Sequence, residues 1–253
     1  MLSSLDAPWI SVVIPTYNEA PVIAATVAAV VEQLAEKGRP WEIVVVDNAS
    51  PDGTAAAVRA LDIENVRVLE NGTNRGKGYS VRRGMLDARG ELRLLCDADC
   101  VPSLASLDRM LEVASSSDVV IGSRLEDGAE VVPQPFYRRL AGATFLKLSK
   151  VVMREPARDV YCGFKLWRAA AADAVYSRAL LDGWVFDAET LALARRLGFD
   201  IREVGIVWVN RPGSRMSMPH MLMHALPELL AARRSVRREA RPADGLTRLI
   251  PGE

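Results

Sequence analysis

An α/β fold with a mostly parallel central sheet and helices on both faces is predicted by three features of the sequence. Short apolar runs rich in Val, Ile and Leu alternate with segments of helical length. Each run breaks into a polar cluster containing Gly, Pro, Asn or Asp before the helical segment begins. The stretch between successive runs is long enough for a crossover helix, which parallel neighbours require. At 253 residues the chain is large for one domain but suits a single α/β unit with a substantial core.

The elements follow in order. Trp9 to Ile14 is an apolar run stopped by Pro15, followed by Thr16-Tyr17-Asn18-Glu19 and a helix from Ala20 to Lys37 that stops at Gly38. Trp41 to Val46 leads into Asp47-Asn48-Ala49-Ser50-Pro51-Asp52-Gly53 and a helix to Leu61. Val66 to Leu69 leads into Asn74-Arg75-Gly76-Lys77-Gly78 and a helix to Ala88. This glycine-rich loop lacks the spacing of a P-loop, so it is either a phosphate cradle aided by Lys77 or a turn. Leu92 to Cys96 is the fourth strand, and Val119 to Ile121 a later one. With strand order 3-2-1-4, the first and fourth strands flank the crevice where such sheets bind ligands, bringing Tyr17 to Glu19 beside Asp97 and Asp99.

The chemistry centres on Cys96-Asp97-Ala98-Asp99-Cys100, an apolar run ending abruptly in two acids. Two adjacent carboxylates repel unless a cation lies between them, and hard oxygen donors suit Mg²⁺ or Mn²⁺ with substrate phosphates completing the shell. The alternative is that Asp97 ends a strand and Asp99 caps a helix near Ser103.

Composition narrows the partners. Lys plus Arg and Asp plus Glu both total 32, so no global attraction to nucleic acid is expected. Three cysteines without a second pair or a nearby His indicate neither a disulfide framework nor a zinc site, which favours a reducing cytoplasm. Met1 to Pro8 lacks the basic flank and apolar core of a signal peptide, and no run of about 18 apolar residues could span a bilayer. A cytoplasmic protein is expected, either soluble or peripheral on the inner membrane face. Phe136 to Val152 is a basic amphipathic helix that either lies on a membrane or packs with a solvated basic face, and Arg233 to Arg241 form a cluster with the same two readings.

The successive segments VVIPTYNEA at 12–20, VVVDNASPDGT at 44–54, NRGKGYSVRRGM at 74–85 and CDADC at 96–100 resemble the motifs of family 2 glycosyltransferases with the GT-A fold, which is Rossmann-like. DVYCGFKLWR at 159–168, GWVFDAETLALARRLGF at 183–199 and VNRPGSRMS at 209–217 resemble the polyprenyl-phosphate sugar transferases within that family. The resemblance implies a GT-A domain over 1–217, followed by an amphipathic, Arg-rich tail over 218–253. It places Pro15, Tyr17, Asn18, Glu19, Asp47 and Lys77 in the nucleotide-sugar pocket, with Asp97 and Asp99 holding the metal on the diphosphate. The acceptor set is Arg124, Arg138, Arg139, Lys165, Arg215 and Ser217, and Arg138 is the match for the arginine that receives a lipid phosphate. The chain departs from the family pattern at Val101, where mannose synthases place a glutamine, and at Asn48, where a second Asp is common.

The reaction so implied moves a glucose- or mannose-type sugar from a UDP- or GDP-linked donor to polyprenyl phosphate with inversion. A phosphate acceptor is already anionic at neutral pH, whereas a hydroxyl acceptor needs a general base. The candidates for that base are Asp187 and, second, Asp159, with Asp99 beside the reacting centre. The alternatives are a soluble family 2 enzyme acting on a small hydroxyl acceptor and a non-catalytic nucleotide-binding module.

Overall fold

The computed structural model describes residues 7–132, 136–209 and 218–238, with the side chains of 136–141, 218–225 and 238 left aside. Four strands come from the first hundred residues: β1 (Ile10–Thr16), β2 (Trp41–Asp47), β3 (Val66–Glu70) and β4 (Leu92–Cys96). They alternate with α1 (Ala20–Ala35), α2 (Thr54–Arg59) and α3 (Lys77–Asp87) and lie in the order β3-β2-β1-β4, all parallel. A 3-10 turn, Val101–Ser106, precedes α4 (Leu107–Ala114) and β5 (Val119–Ser123).

The second half departs from simple alternation. After α5 (Phe136–Met153), strand β7 (Phe164–Arg168) inserts antiparallel between β4 and β5, and β8 (Ile201–Gly205) closes the edge parallel to β5. The result is a seven-stranded, mostly parallel sheet ordered β3-β2-β1-β4-β7-β5-β8. Between β7 and β8 run α6 (Ala169–Tyr176) and α7 (Phe186–Arg196). Two short strands, β6 (Glu130–Val131) and β9 (Val207–Trp208), pair beside the main sheet. Of the expected tail, Met218–Arg238 forms helix α8, which docks on the body with Leu229 and Ala232 buried among the core residues of α5 and α7.

Successive strand residues point to opposite faces, so each central strand supplies two cores. Val13, Val44, Leu95 and Trp167 pack with α3, α5, α6, α7 and α8. Val12, Val45, Leu94 and Leu166 pack with α1 and α4. This double burial explains why the strands read as continuous apolar runs.

At the amino ends of the strands, Glu42 is 2 % exposed and accepts from Ser11 Oγ at 2.7 Å, Arg89 N at 2.7 Å, Arg89 Nη2 at 2.8 Å and Arg67 Nε at 3.1 Å. Burial alone would raise this carboxyl, but the hydrogen bonds outweigh it and hold the pKa at about 2. This pin joins β1, β2, β3 and the α3–β4 turn at the end of the sheet away from the polar crevice.

Candidate active site

The crevice opens at the carboxyl ends of β1 and β4, where the strand order reverses. Pro15 lies in β1, and Tyr17, 40 % exposed, follows it at the rim. Asn18 turns the chain with φ +56° and donates its N–H to Ser50 Oγ at 2.8 Å. The α1 amino end has no side-chain cap of its own. Its donors Glu19 N and Ala20 N reach Thr54 Oγ1 at 2.9 Å and Asp52 Oδ2 at 3.1 Å, so the β2–α2 loop supplies the cap. Asp47, 2 % exposed, accepts from Ser50 N at 3.0 Å and from Ser50 Oγ. It therefore shapes the wall formed by these two loops.

Asn48 extends the wall to the glycine-rich loop, a role the sequence alone did not reveal. Its amide donates to Asn74 Oδ1 at 2.8 Å, and its carbonyl accepts from Asn71 Nδ2 and Arg75 N, both at 3.0 Å. A carboxylate at 48 has no donor to offer Asn74, which gives this departure from the family pattern a structural use.

Lys77 opens α3 and its ammonium lies 2.8 Å from Asp97, just beyond β4. Burial would lower the lysine's pKa, but the carboxylates of Asp97, Asp187 and Asp99 outweigh it and raise it, so Lys77 stays charged. Gly78 lets the loop touch its neighbour: a Cβ there would sit 2.5 Å from Leu181 O and 2.8 Å from Phe186 Cβ. Glu189, fully buried, fixes the facing loop by accepting from Leu180 N at 3.1 Å and Leu181 N at 2.9 Å. Trp184, half exposed, stands with its ring centroid 5.4 Å from Lys77 Nζ. Glu189 and Trp184 carried no recognisable signal beyond their place in a motif.

The residues at Asp97 fit a divalent cation. Its Oδ1 is buried without a hydrogen bond although Lys77 lies beside it, and Asp99 follows two residues later. Two carboxylates two residues apart, one with an oxygen that accepts no hydrogen bond, suit a hard ion whose remaining ligands are substrate phosphate and water. Among the described residues no cluster of three His, Cys, Asp or Glu side chains exists, so a closed protein cage is not formed.

Three expectations are corrected here. Lys165, expected to contact the acceptor, is fully buried, donates to Cys162 O at 2.6 Å and pairs with Asp187. It is covered where α7 packs on this face of the sheet and brings Asp187, in that helix's first turn, onto its ammonium. Burial raises the Asp187 pKa, against the opposing pull of Lys165 and Lys77. Arg124 and Asp159, assigned separately to acceptor binding and base chemistry, are partners: Nε and Nη2 reach the two carboxylate oxygens at 2.7 and 2.8 Å, and Arg124 N adds a third bond at 2.9 Å. The Arg124 pKa is raised, burial being outweighed by this pair. Finally, Cys96 and Cys100, read as unpaired, form a disulfide with Cα atoms 5.8 Å apart. The turn closed by Cys100 N donating to Asp97 O at 2.9 Å brings them together, which cysteine counting does not register. Cys162 is the free thiol, pushed up to about 12 chiefly by burial.

Arg138 and Arg139 lie on α5 with side chains outside the described set, and Arg215 and Ser217 lie outside the described residues. No described helix is long and apolar enough to cross a membrane.

A GT-A-type sheet with a charged lysine and an acidic pair at its switch point defines a nucleotide-sugar-dependent glycosyltransferase. Residues 11–183 match the domain described as Glycosyl transferase family 2. The chain belongs to that family. It is similar to the dolichyl-phosphate beta-glucosyltransferase of Saccharomyces cerevisiae, 33 % identical over 232 residues that span 83 % of this chain and 70 % of that one. The Drosophila melanogaster dolichyl-phosphate beta-glucosyltransferase is 34 % identical over 84 % of this chain and 71 % of its own. Among solved structures, glucosyl-3-phosphoglycerate synthase from Mycobacterium tuberculosis, in complex with phosphoglyceric acid, shares the fold with TM-score 0.65 at 18 % identity, over 88 % of this chain and 80 % of that one. The mannosyltransferase from Pyrobaculum calidifontis, in complex with GDP-Man and Mn²⁺, gives TM-score 0.58 at 22 % identity, over 93 % and 66 %.

Proposed function

We propose that the protein transfers a hexose, glucose in the first instance, from a nucleotide-diphosphate sugar to a polyprenyl phosphate such as dolichyl phosphate, inverting the anomeric carbon. The observation that carries the acceptor class is the state of the two carboxylates available as a base. Asp159 is engaged by Arg124 and Asp187 by Lys165, so neither is placed as a free base for a hydroxyl. A phosphomonoester needs no such base, because it is already ionised at neutral pH. The named relatives, dolichyl-phosphate beta-glucosyltransferases, support the same reading.

In this mechanism an acceptor phosphate oxygen attacks the anomeric carbon, and the bond from that carbon to the donor's diphosphate oxygen breaks. The nucleoside diphosphate leaves with the electron pair. Lys77, kept charged by its acidic neighbours, neutralises the growing charge on the leaving group. Asp97 and Asp99 would hold Mg²⁺ or Mn²⁺, which supplies Lewis-acid stabilisation of the same charge. Tyr17 and the wall stitched by Asn18, Glu19 and Asp47 would take the nucleoside, while the α5 arginines, Arg138 first, would receive the acceptor phosphate at a membrane surface.

The test is incubation with labelled UDP-glucose, GDP-mannose and their relatives, offered with polyprenyl phosphate or with small hydroxyl acceptors. Glucosyl transfer to the lipid phosphate, with a product anomer opposite to that of the donor, is expected. Transfer to a small hydroxyl compound alone would replace this reading by a soluble family 2 enzyme.

A further inference from the structure

The carboxyl ends of α5, α7 and α8 meet at a second cavity of about 320 Å³, continuous with a smaller one of about 170 Å³. It is not part of the catalytic crevice: α7 carries Asp187 in its first turn and Arg195 and Arg196 in its last. Arg154, Arg195, Arg196, Arg233 and Arg237 line the two cavities, and Glu155 is the one carboxylate among the described lining residues.

Part of this charge has structural work. Arg195 Nε donates to Glu155 Oε1 at 2.8 Å, Arg233 Nη1 to Val152 O at 2.9 Å, and Arg196 Nη2 approaches Arg237 O at 3.5 Å. Basic side chains are favourable at helix carboxyl ends, each of which carries the equivalent of about half a negative charge. Among the described residues that line the opening, five guanidiniums stand against one carboxylate, and the ends of α5 and α7 offset part of the remaining charge.

Arg154 supplies an independent observation. Glu155 N donates to Lys150 O at 3.2 Å, closing α5 with a turn whose preceding residue, Arg154, stands at φ +57°. That seat ordinarily goes to glycine, because a side chain there is strained. An exposed arginine occupies it instead, at the mouth of the basic cavity.

We propose that this three-helix junction is an anion site, separate from the donor pocket, that takes a phosphate or diphosphate group. Guanidiniums suit that ligand through their planar, two-pronged donor geometry. The group reaches the junction either as a free phosphorylated solute or as the headgroup of an anionic lipid.

The experiment compares wild-type protein with Arg154→Gly, with Arg154→Gly/Arg237→Gln and with the charge-matched control Arg59→Gln/Arg202→Gln, whose arginines pair with Glu70 and Asp200 away from the cavity. Inorganic pyrophosphate in the presence of EDTA is titrated by calorimetry at low salt, and flotation is measured on phosphatidylglycerol and on phosphatidylcholine vesicles. Arg154→Gly relieves the backbone, so its Tm should equal or exceed wild type while anion binding weakens several-fold. The double variant should lose at least tenfold, with the control unchanged. Loss of pyrophosphate binding identifies a soluble phosphate. Loss confined to phosphatidylglycerol flotation identifies a headgroup. Equal binding by all four proteins in both assays overturns the proposal.

Discussion

Asp97 stands where Gly163 would otherwise carry a side chain. A Cβ built on Gly163 would overlap the Asp97 carboxylate, and Asp97 N donates to Gly163 O at 3.0 Å. Gly163→Ala should therefore push the carboxylate away from Lys77 in a protein that remains folded. Displacing a reacting-centre group by about 1 Å costs on the order of 10²-fold in rate. Transfer assays with circular dichroism check this: full activity in the alanine variant would show that the carboxylate's position is not required.

Asp97→Asn and Asp99→Asn should each lower kcat/KM by roughly 10² to 10³-fold, the size of a lost charge-stabilising contact in the transition state. EDTA should reproduce the loss in wild type, and added Mn²⁺ or Mg²⁺ should reverse it. Undiminished turnover by the double variant in chelator would remove the metal from the mechanism.

The buried Lys165–Asp187 pair makes a stability prediction. Lys165→Met strands a buried carboxylate, and breaking such a pair by removing one partner costs roughly 3 to 5 kcal/mol. Lys165→Met/Asp187→Leu should recover much of that loss. Urea unfolding of the three proteins decides; a single variant as stable as wild type would mean that the pair is not buried in solution.

Glu42 sets a pH dependence. Its folded pKa, about 2, lies below the ordinary 4.5, so its contribution is present above pH 4.5 and disappears as the pH falls toward 2. The shift corresponds to roughly 3 kcal/mol. Glu42→Gln should be less stable than wild type by that order at pH 7, and the gap should narrow between pH 4.5 and 2. A gap independent of pH would contradict the assignment.

For the acceptor, Arg138→Lys should keep charge but lose two-pronged binding, and Arg138→Ala should lose both. Transfer to a short-chain polyprenyl phosphate should fall in that order, about tenfold or more for alanine, while donor binding changes little. Equal rates in all three proteins would exclude the role.

The first four strands and their helices were legible because β1, β2 and β4 are buried on both faces, β3 repeats their apolar run at the edge, and each helix is punctuated by Gly, Pro or Asp. Their order, taken as 3-2-1-4 from the general habit of such sheets, is the order observed. Strand β7 was not legible, since Phe164 to Arg168 carries no turn signal and its antiparallel insertion depends on residues about 70 positions earlier. That Lys77 would lie beside Asp97 and Asp99 was legible from their places after strands. The partners of Arg124, Asp159, Lys165 and Asp187 were not, because two opposite charges far apart in sequence announce nothing about each other until the sheet joins them.

The inserted β7 also orders events in the growing chain. Residues 10–96 contain every partner that β1, β2 and β3 need, so this half can assemble as soon as it is synthesised. Strand β5 is completely buried in the finished sheet, yet both of its neighbours, β7 and β8, are made after it. Until residue 164 has left the ribosome, β5 has no native edge to join, and its Val119-Val120-Ile121 run depends on shielding from other chains.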